Sequence, residues 1–405
     1  DTWLLWMEDL HERIARLDNP WIIVPTGNYA LYALTGKGKV PWHARDGKSG
    51  RPGILAWRGS ILTYRDRRGR DIKVIPTPHP AATFPGRDPG LEPVCKRDWQ
   101  RIAAELATPE INLPVRTHLI SPSMSDLEFL VKICEAATDE DILVLDIENP
   151  RTKAGEAPIV CVGFALTDNL SITIPTTKSY WGNQLDQVWE TIRYICSLPV
   201  HKGAWNNFHE QYWMWAEKQI EIVNLWWDGL YMHHTLDPSA PHSLAFCASV
   251  DTREPYWKDE AKDPDQARKY TSDMAAFYTY NGKDCCVTKE LIDGYYHRLL
   301  DERRVTSAGD TTALDFYLRH YAEVFRPLLE LMGAGVRVDS AQRARRYAEL
   351  VERVSAIKVE IEAAGADIFS TGKTAKGGIS RKKLGTYLYD TLQLPKQFVK
   401  DKKKG

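Results

Sequence analysis

No stretch of about 18 uncharged apolar residues occurs in this chain, so the sequence offers no membrane-spanning helix. The start, Asp1 to Leu17, has neither a basic segment nor a small-residue cleavage pattern, and does not read as a secretory signal. It lacks an initiator Met, so a processed chain or a fragment is expected. Cysteine is sparse: seven residues, scattered singly apart from Cys285-Cys286. An odd count without repeated spacing argues against a disulfide framework. The absence of any Cys-x-x-Cys pair removes the common zinc and iron–sulfur patterns. A reducing, cytoplasmic setting is expected. Excess charge is missing too, since 53 basic and 54 acidic residues leave a net charge of −1. Neither internal repeats nor low-complexity tracts are present.

What remains is an ordinary globular composition. The 405 residues predict two to four domains. With 43% hydrophobic and 26% charged residues, wholesale disorder is not expected. The balanced charge hides a gradient. From Lys373 onward ten basic residues, among them Lys382, Lys383, Lys402 and Lys403, face only Asp390 and Asp401. Such a stretch attracts phosphate backbones by counterion release, although charge alone more often marks a solvated face or tail.

Three blocks differ in texture. Residues 1–107 combine Gly, Pro and Arg with short apolar runs at Trp21 to Val24 and Ile72 to Ile75, which read as strands between loops. Thr83 to Pro93 reads as a loop, Asp98 to Leu106 as a helix and 108–116 as a linker. Residues 117–308 look α/β. Ile142 to Asp146, Ile159 to Ala165 and Ser171 to Ile174 have strand character. Asp186 to Cys196, Glu210 to Gln219 and Tyr278 to Leu300 have helical periodicity. Residues 309–405 look mainly helical, with helices over Leu314 to Met332, Ser340 to Ala364 and Lys383 to Leu392.

Chemistry concentrates in the middle block. Asp146 and Glu148 are two apart on a strand and project to one face. Two such carboxylates repel unless a proton or a cation neutralises one, and a hard divalent ion such as Mg²⁺ prefers oxygen donors. Asn206 and Glu210 form a second motif, Asn-x-x-x-Glu. Tyr280 and Asp284 form a third, Tyr-x-x-x-Asp, on one helix face. Each alone is more often a cap, a packing residue or a surface acid. In this order they reinforce one another.

These residues resemble the DEDD superfamily of 3′–5′ exonucleases, in the Tyr-containing subgroup found as the proofreading part of family A DNA polymerases. The segments Trp227 to His234 and Pro241 to Leu244 resemble the stretch after that family's second motif. The resemblance implies a ribonuclease H-like domain, a mixed sheet flanked by helices. Asp146, Glu148, Glu210 and Asp284 would hold two Mg²⁺ ions, or Mn²⁺, and Tyr280 would orient the attacking water. Glu210 departs from the family's usual Asp and is one methylene longer. DNA is the implied partner, as a single-stranded or frayed 3′ end of a primer-template. Asn206, Trp205, Phe208 and the lysines named above are candidate contacts, and other replication proteins are possible partners.

The flanking blocks carry weaker resemblances. Pro25 to Leu31, Trp57 to Ser60 and Lys73 to Ala82 resemble the later part of a uracil-DNA glycosylase, with Asn28 and His79 as its site residues. That family's Gly-rich first motif is missing, so base excision or a silent DNA-binding module are the alternative functions. Leu328 to Asp339 and Arg381 to Leu388 resemble the approach to a family A polymerase thumb. No palm Asp motif or nucleotide-binding finger helix follows before residue 405, so polymerisation by this chain is not expected.

Overall fold

The computed structural model describes residues 2–40, 52–84, 87–88, 90–149, 158–259, 273–306, 309–369 and 378–395. They divide into two compact units, residues 1–333 and 334–405.

In the first unit, helix α1 (Thr2–Arg16) is followed by a three-stranded sheet of β1 (Ile22–Ile23), β2 (Leu62–Arg65) and β3 (Asp71–Val74), in the order β1-β3-β2. Strand β2 buries Leu62 and Tyr64 and exposes Thr63 and Arg65, the two-residue alternation of a half-buried strand. Helices α2 (Asn28–Thr35) and α3 (Ile54–Trp57) accompany this sheet. Helix α4 (Leu91–Glu105) begins earlier than the expected Asp98. Pro93 lies in its first turn, where no intrahelical N–H bond is required. Arg58 binds the Asp98 carboxylate and also donates to Ser249 Oγ at 2.8 Å, tying this block to the next.

That next part is built on six strands: β4 (Thr117–Leu119), β5 (Ile142–Glu148), β6 (Cys161–Ala165), β7 (Leu170–Pro175), β8 (His201–Ala204) and β9 (Leu225–Asp228). Their order is β4-β7-β6-β5-β8-β9. Strand β6 runs antiparallel to both neighbours, while β5-β8, β8-β9 and β4-β7 are parallel. The result is the mixed sheet flanked by helices that the ribonuclease H-like resemblance implied. Strands β8 and β9 escape pattern reading because His201-Lys-Gly-Ala and Leu225-Trp-Trp-Asp do not alternate cleanly. Helix α5 (Met124–Ala136) was also unforeseen, and its start is fixed by a Ser123–Asp126 capping box.

Strand parity sorts β5 onto two faces. Leu143, Leu145 and Ile147 enter a core with α5, α7 (Leu185–Ser197) and α8 (Asn207–Lys218), α6 (Lys178–Trp181) lying just before α7. Ile142 and Val144 face the opposite core, shared with α9 (Gly229–Leu236), α10 (Leu244–Asp251) and α11 (Met274–Asp301). By the same parity Asp146 and Glu148 project towards α11. That helix can approach closely because β6 carries Gly163, where a Cβ would strike Asn281 Oδ1 and Cys285 Sγ.

The hairpin β10 (Arg303–Thr306) and β11 (Gly309–Thr312) leads to α12 (Ala313–Tyr317). The single helix expected over Leu314 to Met332 is interrupted. A π-helical turn at Leu318–Ala322 separates α12 from α13 (Glu323–Ala334), which contains Pro327. The extra residue in that turn coincides with two bonds: Tyr317 donates to Trp226 O at 2.8 Å and Tyr321 to Asp228 Oδ2 at 2.6 Å. In the second unit α14 (Ser340–Ala363) is capped by Asp339. There α15 (Arg381–Thr386) gives way to a π turn at Tyr387–Thr391 instead of continuing as one helix to Leu392.

Candidate metal centre

Asp146, Glu148 and Asp284 each place a carboxylate oxygen within 4.8 Å of the others. Two come from the end of β5 and the third from α11, more than a hundred residues later. Asn281, one turn before Asp284, donates from Nδ2 to Asp146 Oδ2 at 2.7 Å and to Asp146 O at 3.2 Å. Its own carbonyl accepts from Thr173 Oγ1 at 3.0 Å, which fixes the amide's orientation. The Asp284 carboxylate is held on both sides. Trp257 Nε1 donates to Oδ1 at 2.6 Å, and Lys258 Nζ donates to Oδ2. Lys258 Nζ also donates to the Tyr280 hydroxyl at 3.0 Å.

Glu210 stands in the first turn of α8 and is only 2% exposed. Its Oε2 has no hydrogen-bond partner among the described residues. It does not join the tight group of three, but Asp146 is the charge that most raises its pKa after burial itself. Asp228 helps set the entry into α8. It accepts from the backbone N–H groups of Asn206 and Asn207 at 3.2 and 2.7 Å, and it caps α9 through Leu230 and Tyr231. Asn206 is held at φ 77°, a left-handed geometry that Asn tolerates.

Electrostatics follow from crowding of carboxylates in a largely buried pocket. Burial, and then the Asp284 charge, push Asp146 up to about 8. Glu210 is raised well above the carboxylate range by burial, then by Asp146, Asp228 and Glu148. The Tyr280 phenol is raised by burial and then by Asp284, so it is neutral across the physiological range. Lys258 offsets part of this at Asp146, but negative charge stays disfavoured there and at Glu210.

The other candidate contacts have partners of their own or lie outside the described residues. Trp205 is half-buried and donates from Nε1 to His242 O at 3.2 Å. Phe208 packs into an aromatic group with Tyr231, Tyr321 and Phe325, its centroid 4.7 Å from that of Phe325. Lys382 and Lys383 lie in the second unit, where Lys383 Nζ binds both Asp367 oxygens at 2.9 Å. Lys402 and Lys403 lie outside the described residues.

Asn28 and His79 are brought near each other by a parallel bridge between Thr26 and Thr77, beyond the ends of β1 and β3. Asn28 Oδ1 already accepts from Lys39 N at 3.1 Å and Ile54 N at 2.7 Å. His79 is exposed, and its Nδ1 accepts from Ala81 N to cap a 3₁₀ turn at Pro80–Thr83.

Sequence reading missed Trp257, Lys258 and Asn281. Asn281 carries a weak signal, being three residues before Asp284 on a helix. Trp257 and Lys258 carry none, since they reach the pocket only through the loop after α10.

No family model and no curated protein matches the chain. Among solved structures it is similar to the catalytic core of RRP6 from Trypanosoma brucei, at 17% identity over 60% of this chain and 62% of that one, with a TM-score of 0.35. It is similar to the POL domain of Pol1 from M. smegmatis, solved in complex with DNA primer-template and dNTP. That likeness has 17% identity over 69% of this chain and 42% of that one, with a TM-score of 0.47. A third is Escherichia coli RNase D, an exoribonuclease involved in structured RNA processing, at 13% identity over 45% and 46% of the two chains and a TM-score of 0.33. In each case the chain spans less than two thirds of the matched chain's length.

Proposed function

We propose that the chain is a metal-dependent 3′–5′ exonuclease that removes nucleotides from the 3′ end of DNA, as the proofreading part of a DNA polymerase. The observation that carries this reading is the meeting of Asp146, Glu148 and Asp284 within 4.8 Å. Three carboxylates at that range repel unless protons or cations neutralise them, the Lys258 ammonium offsets one negative charge, and an all-oxygen set suits Mg²⁺ for the rest, with Mn²⁺ accepted. Glu210 fits the same ion chemistry. It is buried beside the cluster with an oxygen lacking any partner among the described residues, a state that a cation would relieve.

Two bound Mg²⁺ ions would supply charge stabilisation for the attacking and leaving oxygens of an in-line displacement. The chain's own residues set the stage. Asp146, Glu148 and Asp284 would hold the cation, with Glu210 beside them. Asn281 fixes the Asp146 carboxylate. Tyr280, a neutral phenol, donates a hydrogen bond that orients the attacking water instead of taking its proton. The product is a 5′-mononucleotide, and a single-stranded or frayed 3′ end is the substrate. Lys382 and Lys383 offer phosphate contacts. Base excision at Asn28 and His79 is less well supported, because the Asn28 carbonyl is consumed by two backbone amides.

The test is incubation of the purified chain with 5′-labelled single-stranded DNA. A ladder of strands shortened from the 3′ end, dependent on Mg²⁺, abolished by EDTA and absent in Asp146→Ala, is expected. An intact strand in the presence of Mg²⁺, or a ladder that persists in Asp146→Ala, overturns the reading.

A further inference from the structure

We propose that Lys258 is a built-in cation of the carboxylate pocket and competes with the divalent ion for Asp284. The inference rests on reading Asp146, Glu148 and Asp284 as a cation site. Both Asp284 oxygens are occupied: Oδ1 by the Trp257 indole, Oδ2 by Lys258 Nζ. Each oxygen keeps a further lone pair, so an ion that takes Asp284 as a ligand binds beside one of these donors or in place of it. Trp257 is 1% exposed and belongs to the core between the sheet and α11, so its indole is fixed. Lys258 keeps 20% of its side chain exposed and ends in a flexible four-carbon stem, so the ammonium is the group that can give way.

The ammonium is well placed for the interim role. Besides Asp284 and the Tyr280 hydroxyl, it lies 4.8 Å from the Tyr280 ring centroid and 5.2 Å from that of Trp257. Aromatic faces favour a cation at that range. A fixed positive charge among carboxylates lets the pocket fold before any metal arrives. The same charge opposes a divalent ion entering a few ångströms away, and that repulsion persists while the tether holds the ammonium nearby. Lys258 thereby sets how tightly the site holds metal.

The experiment titrates Mn²⁺ alone into the full chain by calorimetry, without nucleic acid. It compares wild type with Lys258→Met and Lys258→Arg and records thermal midpoints with and without Mn²⁺. Met keeps the stem and removes the charge; Arg keeps the charge. Lys258→Met is expected to bind Mn²⁺ about tenfold more tightly than wild type. Its metal-free midpoint should fall while its Mn²⁺-loaded midpoint recovers. Lys258→Arg should bind Mn²⁺ like wild type. Unchanged affinity in a folded Lys258→Met overturns the inference, as does equal tightening in Lys258→Arg, which would make the effect one of packing. The nuclease reading fails separately. A wild type that binds Mn²⁺ and shows the Lys258→Met shift but cleaves no DNA refutes the nuclease and leaves the inference standing. A wild type that cleaves DNA, with Lys258→Met unchanged in metal affinity, does the reverse.

Discussion

The two places where the sequence suggested chemistry make a contrast. Both lie at the ends of strands, the carboxylate group at the end of β5 and the Asn28–His79 pair beyond β1 and β3. In the first block the polar atoms are already used. Asn28 Oδ1 accepts two backbone amides, and His79 Nδ1 accepts one. Such bonds hold a loop together and leave little for a ligand. At β5 like charge is in excess: three carboxylates converge on one ammonium, and a buried fourth has an oxygen without a partner among the described residues. A binding reading is favoured where like charge gathers, and a structural one where the polar atoms are closed on their own backbone.

The sharpest way to break this contrast is a pair of substitutions assayed side by side. Asp284→Ala should lower Mg²⁺-dependent cleavage on the order of 10³-fold, about 4 kcal/mol of transition-state stabilisation. His79→Ala should leave the same rate within about twofold, the range of a substitution that touches no catalytic group. Equal losses from both would mean that the first block reaches the reacting phosphate.

Much of the acidic site was legible in advance, because its members sit in regular elements. The period of two on β5 and the four-residue spacing on α11 fix which face a side chain takes, and the parities of Asp146, Glu148 and Asp284 hold in the folded chain. What was not legible depends on loops and on long-range fit. Trp257 and Lys258 arrive through irregular backbone, and no periodicity governs where such residues point. Phe208 shows how little the place of an aromatic along the chain says about its partners. Aromatics beside Glu210 suggested base stacking, but Phe208 is packed with Tyr321 and Phe325, from a segment more than a hundred residues away. The π turn that brings Tyr317 and Tyr321 onto Trp226 and Asp228 has no composition signature at all.

Stability gives a second test of closed polar chemistry in the first block. Asp98 is fully buried and receives both Arg58 and Thr77 Oγ1, the latter at 3.0 Å. Asp98→Ala leaves the Arg58 guanidinium buried without its carboxylate and should cost about 3–5 kcal/mol in denaturant unfolding. Arg58 also reaches Ser249 Oγ, so the loss should extend to the β5 region. A cost below about 1 kcal/mol would show that this pair is not what ties the two parts together.

Acid should distinguish the parts by a smaller amount. His233 is 4% exposed, and burial lowers its pKa to about 4, a fall that Asp251 partly opposes and His242 reinforces. An unfolded His titrates near 6.5, so between about pH 6.5 and 4 the unfolded chain binds the extra proton. Stability is therefore full above pH 6.5 and is lost as pH falls towards 4, by at most about 3 kcal/mol from this residue. His233→Gln should flatten that part of the pH–stability curve, and an unchanged slope would assign the acid sensitivity to other groups.

The smallest effect belongs to His79 as a cap. Its Nδ1 accepts the Ala81 amide at 3.1 Å on an exposed turn, so water can replace the bond when the ring is removed. His79→Ala should cost about 0.5–1 kcal/mol, the range of an exposed capping residue. If the ring only closes a turn, EDTA-resistant release of uracil from uracil-containing DNA should be absent from wild type and variant alike. Release by wild type that vanishes in His79→Ala would overturn the contrast from the other side. It would mean that the imidazole exchanges its capping bond for a base, and that a closed set of hydrogen bonds in the free chain had concealed a second active site.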